Sequence, residues 1–187
     1  MKHILAITAL LLGTATIATT AGADEVSDTL ESALAAYNEG DIQYALEELE
    51  FAKQLIMALK TDALSAFLPE APDGWTREVN SEMNSSLAFM GGGTGAEAEY
   101  SMDGQQFSIT IMADNPMIAA FAGMIGNAAV MGAKLERVGR MKYMNQDGEL
   151  SGLVDNRILI QAKGAPVEVM IPLLEAIDVK ALEDFGG

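Results

Sequence analysis

Two of the three Asp-Gly dipeptides, Asp103-Gly104 and Asp147-Gly148, each follow a run of alternating apolar residues and precede a strand-like stretch. Asp and Gly tolerate the positive backbone angles that a two-residue hairpin imposes at its central positions. Each pair therefore turns the chain back beside itself as an antiparallel partner. A parallel connection would need a crossover of a dozen residues or more. Ahead of the first turn, Ala96, Ala98, Tyr100 and Met102 alternate along residues 96–102; after it, Phe107, Ile109 and Ile111 share one face of a strand over 106–113. Residues 135–144 lead into the second turn, and 149–154 and 157–163 supply further strands, with a short one over 75–80.

The rest of the chain follows the helical period. Val26, Leu30, Leu34 and Tyr37 recur at helical spacing over 26–39, and Asn38-Glu39-Gly40-Asp41 interrupts them. From Ile42 to about Leu59 a second helix carries a broad apolar stripe of Ala45, Leu46, Leu49, Phe51, Ala52, Leu55, Ile56 and Leu59. Pro116 opens a helix to Gly132, a further helix covers 167–177 with Pro172 as a potential kink, and 179–185 is a short helical tail. The order αα, βββ, α, βββ, α predicts the α+β class, an N-terminal helical hairpin followed by an antiparallel sheet with helices packed on one face.

The first 23 residues have the three parts of a secretory signal peptide. Lys2 supplies the basic start, Ile4 to Leu12 the apolar stretch, and Ala21-Gly22-Ala23 the small residues where signal peptidase cuts. The expected division is a signal peptide over 1–23, a helical hairpin over 24–67 and an α+β domain over 68–187, the last two forming one unit. The expected location is the periplasm. A membrane anchor is the competing reading of this segment; Thr14, Thr16, Thr19 and Thr20 dilute its apolarity and no basic flank follows.

Export sharpens what composition excludes. The only histidine, His3, leaves with the signal, and the chain has no cysteine. Ser-His-Asp and Cys-His catalysis lose their base, and His/Cys zinc sites and c-type haem attachment lose their ligands. The 27 acidic residues outnumber 11 basic ones for a net charge of −16, deepened by one when Lys2 is removed. Such a surface repels nucleic acid and disfavours docking on anionic lipid.

Two stretches carry resemblances. Ala33-Leu34-Ala35-Ala36-Tyr37-Asn38-Glu39-Gly40-Asp41, followed by Ala45-Leu46 and Leu49, resembles the middle of a tetratricopeptide repeat; it occurs once, which implies a lone helical hairpin and no solenoid. Leu68-Pro69-Glu70-Ala71-Pro72-Asp73-Gly74-Trp75, with the closing strand and helix over 157–178, resembles a group of uncharacterised exported proteobacterial proteins, and no activity is implied by it. In layout alone the chain also resembles the Mog1/PsbP-like α/β fold.

Three motifs invite chemistry. Gly91-Gly92-Gly93-Thr94-Gly95-Ala96 matches the spacing of a dinucleotide fingerprint, but that chemistry needs a helix after the glycines, and a strand is expected there. Asn145-Gln146-Asp147-Gly148-Glu149 has the flavour of a calcium loop; with Gly148 in sixth place, Tyr143 and Val154 fall where carboxylates should stand. No residue is thus assigned a catalytic, cofactor-binding or metal-ligating role. The twelve methionines are the compositional excess, and Met117, Met124 and Met131 repeat every seven residues beside Phe121 in the uncharged segment 116–132. Such a helix is a core element, an adaptable apolar contact face, or a Cu(I) thioether site, the last disfavoured by the wide spacing and missing histidines. The expectation is one buried face with a Met-lined edge at Met117, Phe121, Met124 and Met131. The functional expectation is a non-enzymatic binding module of the cell envelope with a protein partner or apolar ligand. A peripheral lipid-contacting protein and a carboxylate-dependent hydrolase are the alternatives.

Overall fold

A computed structural model describes residues 20–80, 83, 87, 92–128, 130 and 132–186. Most of the expected signal peptide, and Met131, lie outside the described residues. Helices α1 (Thr20–Glu39) and α2 (Ile42–Ser65) form the N-terminal hairpin. A seven-stranded antiparallel sheet follows, made of β1 (Thr76–Asn80), β2 (Thr94–Met102), β3 (Gln105–Ala113), β4 (Lys134–Val138), β5 (Met141–Gln146), β6 (Glu149–Val154) and β7 (Ile158–Lys163). Helix α3 (Ile118–Gly126) lies between β3 and β4, and α4 (Val167–Ala176) and α5 (Val179–Glu183) end the chain. The class is α+β. The chain divides into two compact units within α2, after Leu55, earlier than the expected boundary at residue 67.

In the first unit the turn between α1 and α2 closes as sequence chemistry requires. Gly40 adopts φ +84°, the Gly40 and Asp41 amides donate to the carbonyls of Tyr37 and Ala36, and Asp41 caps α2 by accepting from the Tyr44 amide at 3.1 Å. The buried residues along the hairpin are small: Thr29, Ala33 and Ala36 on α1, Ala45 and Ala52 on α2.

In the second unit the sheet order is β1-β2-β3-β7-β6-β5-β4. Asp103-Gly104 and Asp147-Gly148 both take positive φ at their two positions and close β2–β3 and β5–β6. The expected single strand over 135–144 is two strands. Gly139, at φ +59°, leads a two-residue turn that pairs Val138 with Met141, so there are seven strands among the described residues. The alternate residues Ala96, Ala98, Tyr100, Ile109, Ile111, Ile158, Ile160 and Ala162 face the main core, where Met170, Leu173 and Leu174 of α4 and Leu182 of α5 cover them. Leu64 and Leu68 join that core. Pro172 sits inside α4 without ending it.

Helices are not confined to one face. Leu159 and Met144 point away from the main core and are buried all the same, α3 lies against β6 and β7, and a side chain at Gly95 would strike Leu87 and Met83. α3 and these two residues close one end of the second face; the other end carries Glu97, Glu99, Glu149 and Gln161.

Two anchors fix the ends of this unit. In the Leu68–Trp75 segment the Tyr100 hydroxyl donates to the Pro69 carbonyl at 2.6 Å, Trp75 meets Phe107 edge to face, and Phe107 stacks on Tyr100. The proline-rich boundary is therefore pinned to the sheet. At the opposite end Asp114 accepts from Lys60 and Arg157 at 3.0 and 3.1 Å, and Arg157 also donates to the Phe185 carbonyl. Burial opposes ionisation of Asp114, but these two cations outweigh it and hold the carboxyl below its usual range.

Burial pushes the Tyr100 phenol up to about 12, with the nearby Arg77 opposing and Glu70 adding. The neutral phenol is the form the fold requires. Its contribution is complete below the unfolded pKa near 10 and is lost as pH rises from there through about 12. Tyr100→Phe should cost about 1–2 kcal/mol at pH 7 by orphaning the Pro69 carbonyl, and should make the alkaline loss shallower in urea titrations between pH 8 and 12. An unchanged alkaline slope would remove Tyr100 from this role.

Candidate functional site

The segment that links β3 to β4 leaves apolar residues open, as Ile56, Leu59, Val79 and Leu135 are elsewhere in the sheet unit. Its entry is built by Asn115, which is buried. The Asn115 side-chain oxygen accepts from the Met117 amide at 2.8 Å and its amide group donates to the Gly92 carbonyl. Gly93 makes this possible: at φ +102°, a Cβ there would lie 2.9 Å from both the Ala113 carbonyl oxygen and the Asn115 Cβ. The glycine run thus serves close backbone packing, and β2 rather than a helix follows it, so the dinucleotide geometry is not formed.

α3 is shorter than the expected 116–132. It begins after Met117 and stops at Gly126, where Asn127 donates its side-chain amide back to the Gly123 carbonyl at 2.8 Å. Glycines at 123 and 126 weaken the last turn, and Asn competes for the backbone, so the helix ends there. Of the expected contact residues, Met117 is exposed at the helix start, Phe121 and Met124 are half-buried on the adjoining flank, and Met131 lies outside the described residues. The structure thus brings Met117, Phe121 and Met124 along one helical edge, one and two turns apart. α3 itself ends at Gly126, five residues before Met131.

The burial of this helix is slight. Ile118, 2 % exposed, is its one buried residue. Ala119, Ala120, Gly123 and Gly126 face solvent, and nothing lies within 4 Å of where side chains at the two glycines would begin. Met117 is 44 % exposed and Val130, just past the helix, 87 %. α3 carries no charged residue. An uncharged helix is ordinarily interior; this one buries Ile118 fully and Phe121, Ala122, Met124 and Ile125 in part, and offers its remaining apolar side to solvent.

The hairpin unit holds the second open surface, along the apolar stripes that its helical periodicity marks. Leu30, Leu34 and Tyr37 on α1 and Ile42, Leu46 and Leu49 on α2 are all exposed, Leu34 and Tyr37 by more than 60 %. The stripe on each helix is wider than the contact between the helices, and the alanines take the contact.

Two concavities lie elsewhere in the sheet unit. One, of about 330 Å³, sits between the β4–β5 turn and the α4–α5 corner, beside Arg140, Glu175, Asp178 and Lys180. Asp178 there is spent on capping α5, accepting from the Ala181 amide at 3.0 Å. The other, near Glu97, Glu99 and Lys163, is an open trough on the second face, where Glu97 already accepts from Thr110 at 2.9 Å. Among the described residues no three acidic or histidine side chains gather closely enough to hold a metal ion, and no helix is long and apolar enough to cross a membrane. No family model matches the chain, and neither the curated proteins nor the solved structures give a match.

Substitution at the two sides of α3 separates its seat from its open face. Ile118→Asp should lower stability by several kcal/mol, since it buries an unpaired carboxylate, whereas Met117→Asp should shift it by less than about 1 kcal/mol. Urea denaturation of the two variants checks this, and equal losses would mean that Met117 is held as tightly as Ile118.

Proposed function

We propose that this chain is an exported, non-enzymatic interaction module of the cell envelope, and that its contact face is the uncharged α3 with Met117, Phe121, Met124 and Val130 around it. The observation that carries the reading is the exposure of this helix, with Ile118 alone buried and Met117 and Val130 open to water. Apolar surface left in solvent marks a contact site more often than chance, and methionine suits a face that adapts to its partner. The non-enzymatic reading is supported by what the perturbed groups do. Tyr100 holds the boundary segment, Asp114 clamps α2 to the β6–β7 turn, and Tyr143 is a core side chain whose phenol is raised by burial.

The partner is an envelope protein with an apolar surface. A chain of net charge −16 is repelled by anionic lipid, which argues against a membrane as the first partner. Export rests on the N-terminal Lys2, the apolar run from Ile4 and the Ala21-Gly22-Ala23 site; native protein should carry Asp24 as its first residue by intact mass.

The test compares wild-type bait with a Met117→Asp/Val130→Asp double variant in quantitative capture from envelope extract, each checked for an unchanged melting transition. The account expects a discrete wild-type partner that the variant loses by about tenfold or more. Identical capture by both baits would refute the face, and flotation of the wild type with vesicles of zwitterionic lipid would replace the protein partner with a lipid one.

A further inference from the structure

The α1–α2 hairpin carries a second, independent interface. Its seam is made of Thr29, Ala33 and Ala36 against Ala45 and Ala52, too small a set of side chains to form a core by itself. The large apolar residues stand one position after the seam on each helix. Leu30, Leu34 and Tyr37 follow Thr29, Ala33 and Ala36; on α2 Leu46 follows Ala45, and Ile42 and Leu49 lie one turn to either side of Leu46. Each step along a helix rotates the side chain by about 100°. Seen from one end, antiparallel helices rotate in opposite senses, so a step of one residue away from the seam leads both helices to the same side of the pair. The six residues therefore share one broad face. Tyr44 and Phe51, one position before Ala45 and Ala52, lie on the opposite side.

We propose that this face pairs with the same face of a second copy, joining two hairpins as a four-helix bundle about a two-fold axis. Area supports the occupant. The six side chains expose roughly 600 Å² per chain, so a self-complementary contact removes about 1,200 Å², enough for a stable specific interface. Charge argues against an anionic bilayer as the occupant, and since a second copy carries the same charge, pairing requires the carboxylates to stay outside the contact. Residues 24–55 hold nine carboxylates and one amine, Lys53, which follows Ala52 at the end of this face far from the Gly40 turn and pairs with Glu50 at 3.3 Å. Asp24, Asp28 and Glu31 lie on sides of α1 turned away from the face, so pairing leaves them in water, pointing outward from the dimer. An anionic bilayer would meet that negative charge directly. The surface is isologous, so closure at two copies follows without open-ended growth.

Sedimentation equilibrium of the protein purified from its own cells, with its native N-terminus, tests this. Wild type should be a dimer at 100 µM; Leu34→Glu/Leu46→Glu should raise Kd by about 100-fold or more, and Phe51→Glu on the other side by less than about threefold. Far-UV circular dichroism checks that the helices persist. Should the double variant lose them, Leu34→Cys in this cysteine-free chain should cross-link to dimers with a short bismaleimide while Phe51→Cys does not. A monomer at 100 µM, a dimer indifferent to the double substitution, or cross-linking equal at both positions would each overturn the proposal.

Discussion

The antiparallel pairing of β3 with β7 is the joint on which the sheet unit depends. Every other strand pair joins neighbours in sequence: β1 to β2 to β3 on one side, β4 through β7 on the other. The β3–β7 ladder, with Ile109 opposite Ala162, Ile111 opposite Ile160 and Ala113 opposite Ile158, brings two separate meanders into one sheet. It closes a loop of about fifty residues, a cost in chain entropy that neither meander pays alone. Burial repays it, because the same isoleucines point into the core beneath α4 and α5. The ladder continues past the strands, where the Asp114 amide donates to the Arg157 carbonyl at 3.2 Å and their side chains pair.

That joint also decides where α3 sits. β3 ends at Ala113, Asp114 adopts φ +57° to turn the chain, and Asn115 ties the turn to Gly92 before the helix starts. The helix is delivered to the second face of the sheet, at the end occupied by Leu159 and Met144. Ile118, with Phe121, Ala122, Met124 and Ile125 half-buried behind it, holds a short helix whose start is fixed by the ladder. The rest of the helix is then free to remain uncharged and open, and an exposed apolar face can persist without cost to the main core on the other side of the sheet. The same separation holds for the hairpin, whose alanine seam leaves its leucines and tyrosine for other contacts.

Much of this was legible in the residues. Asp103-Gly104 and Asp147-Gly148 specify two hairpins because both positions need positive φ, and Gly40-Asp41 specifies the helical turn because Gly40 takes the positive φ and Asp41 caps the next helix. The alternation of Phe107, Ile109 and Ile111 assigns the core face correctly. Gly139-Arg140 was missed because only its first residue carries a turn signal and the apolar pattern runs through it. The extent of α3 was misread because Met117, Met124 and Met131 keep helical spacing across the glycines that end the helix at 126. Helices on both faces were not legible, since alternation marks Leu159 and Met144 as outward without saying what lies over them. For the candidate surfaces, periodicity shows that a helix is apolar on one side; it does not show which part of a wide stripe finds a partner within the chain. On α1 the alanines found it and Leu30, Leu34 and Tyr37 did not.

Native-state hydrogen exchange, resolved to single strands, tests the central place of the β3–β7 pairing most directly. The account predicts that amides bonded between 108–113 and 158–163 exchange only by global unfolding, while those of the edge strands β1 and β4 exchange through smaller openings. Exchange from β3 and β7 that is as fast as from β1 and β4 would contradict it, because the two meanders would then be stable without the joint between them.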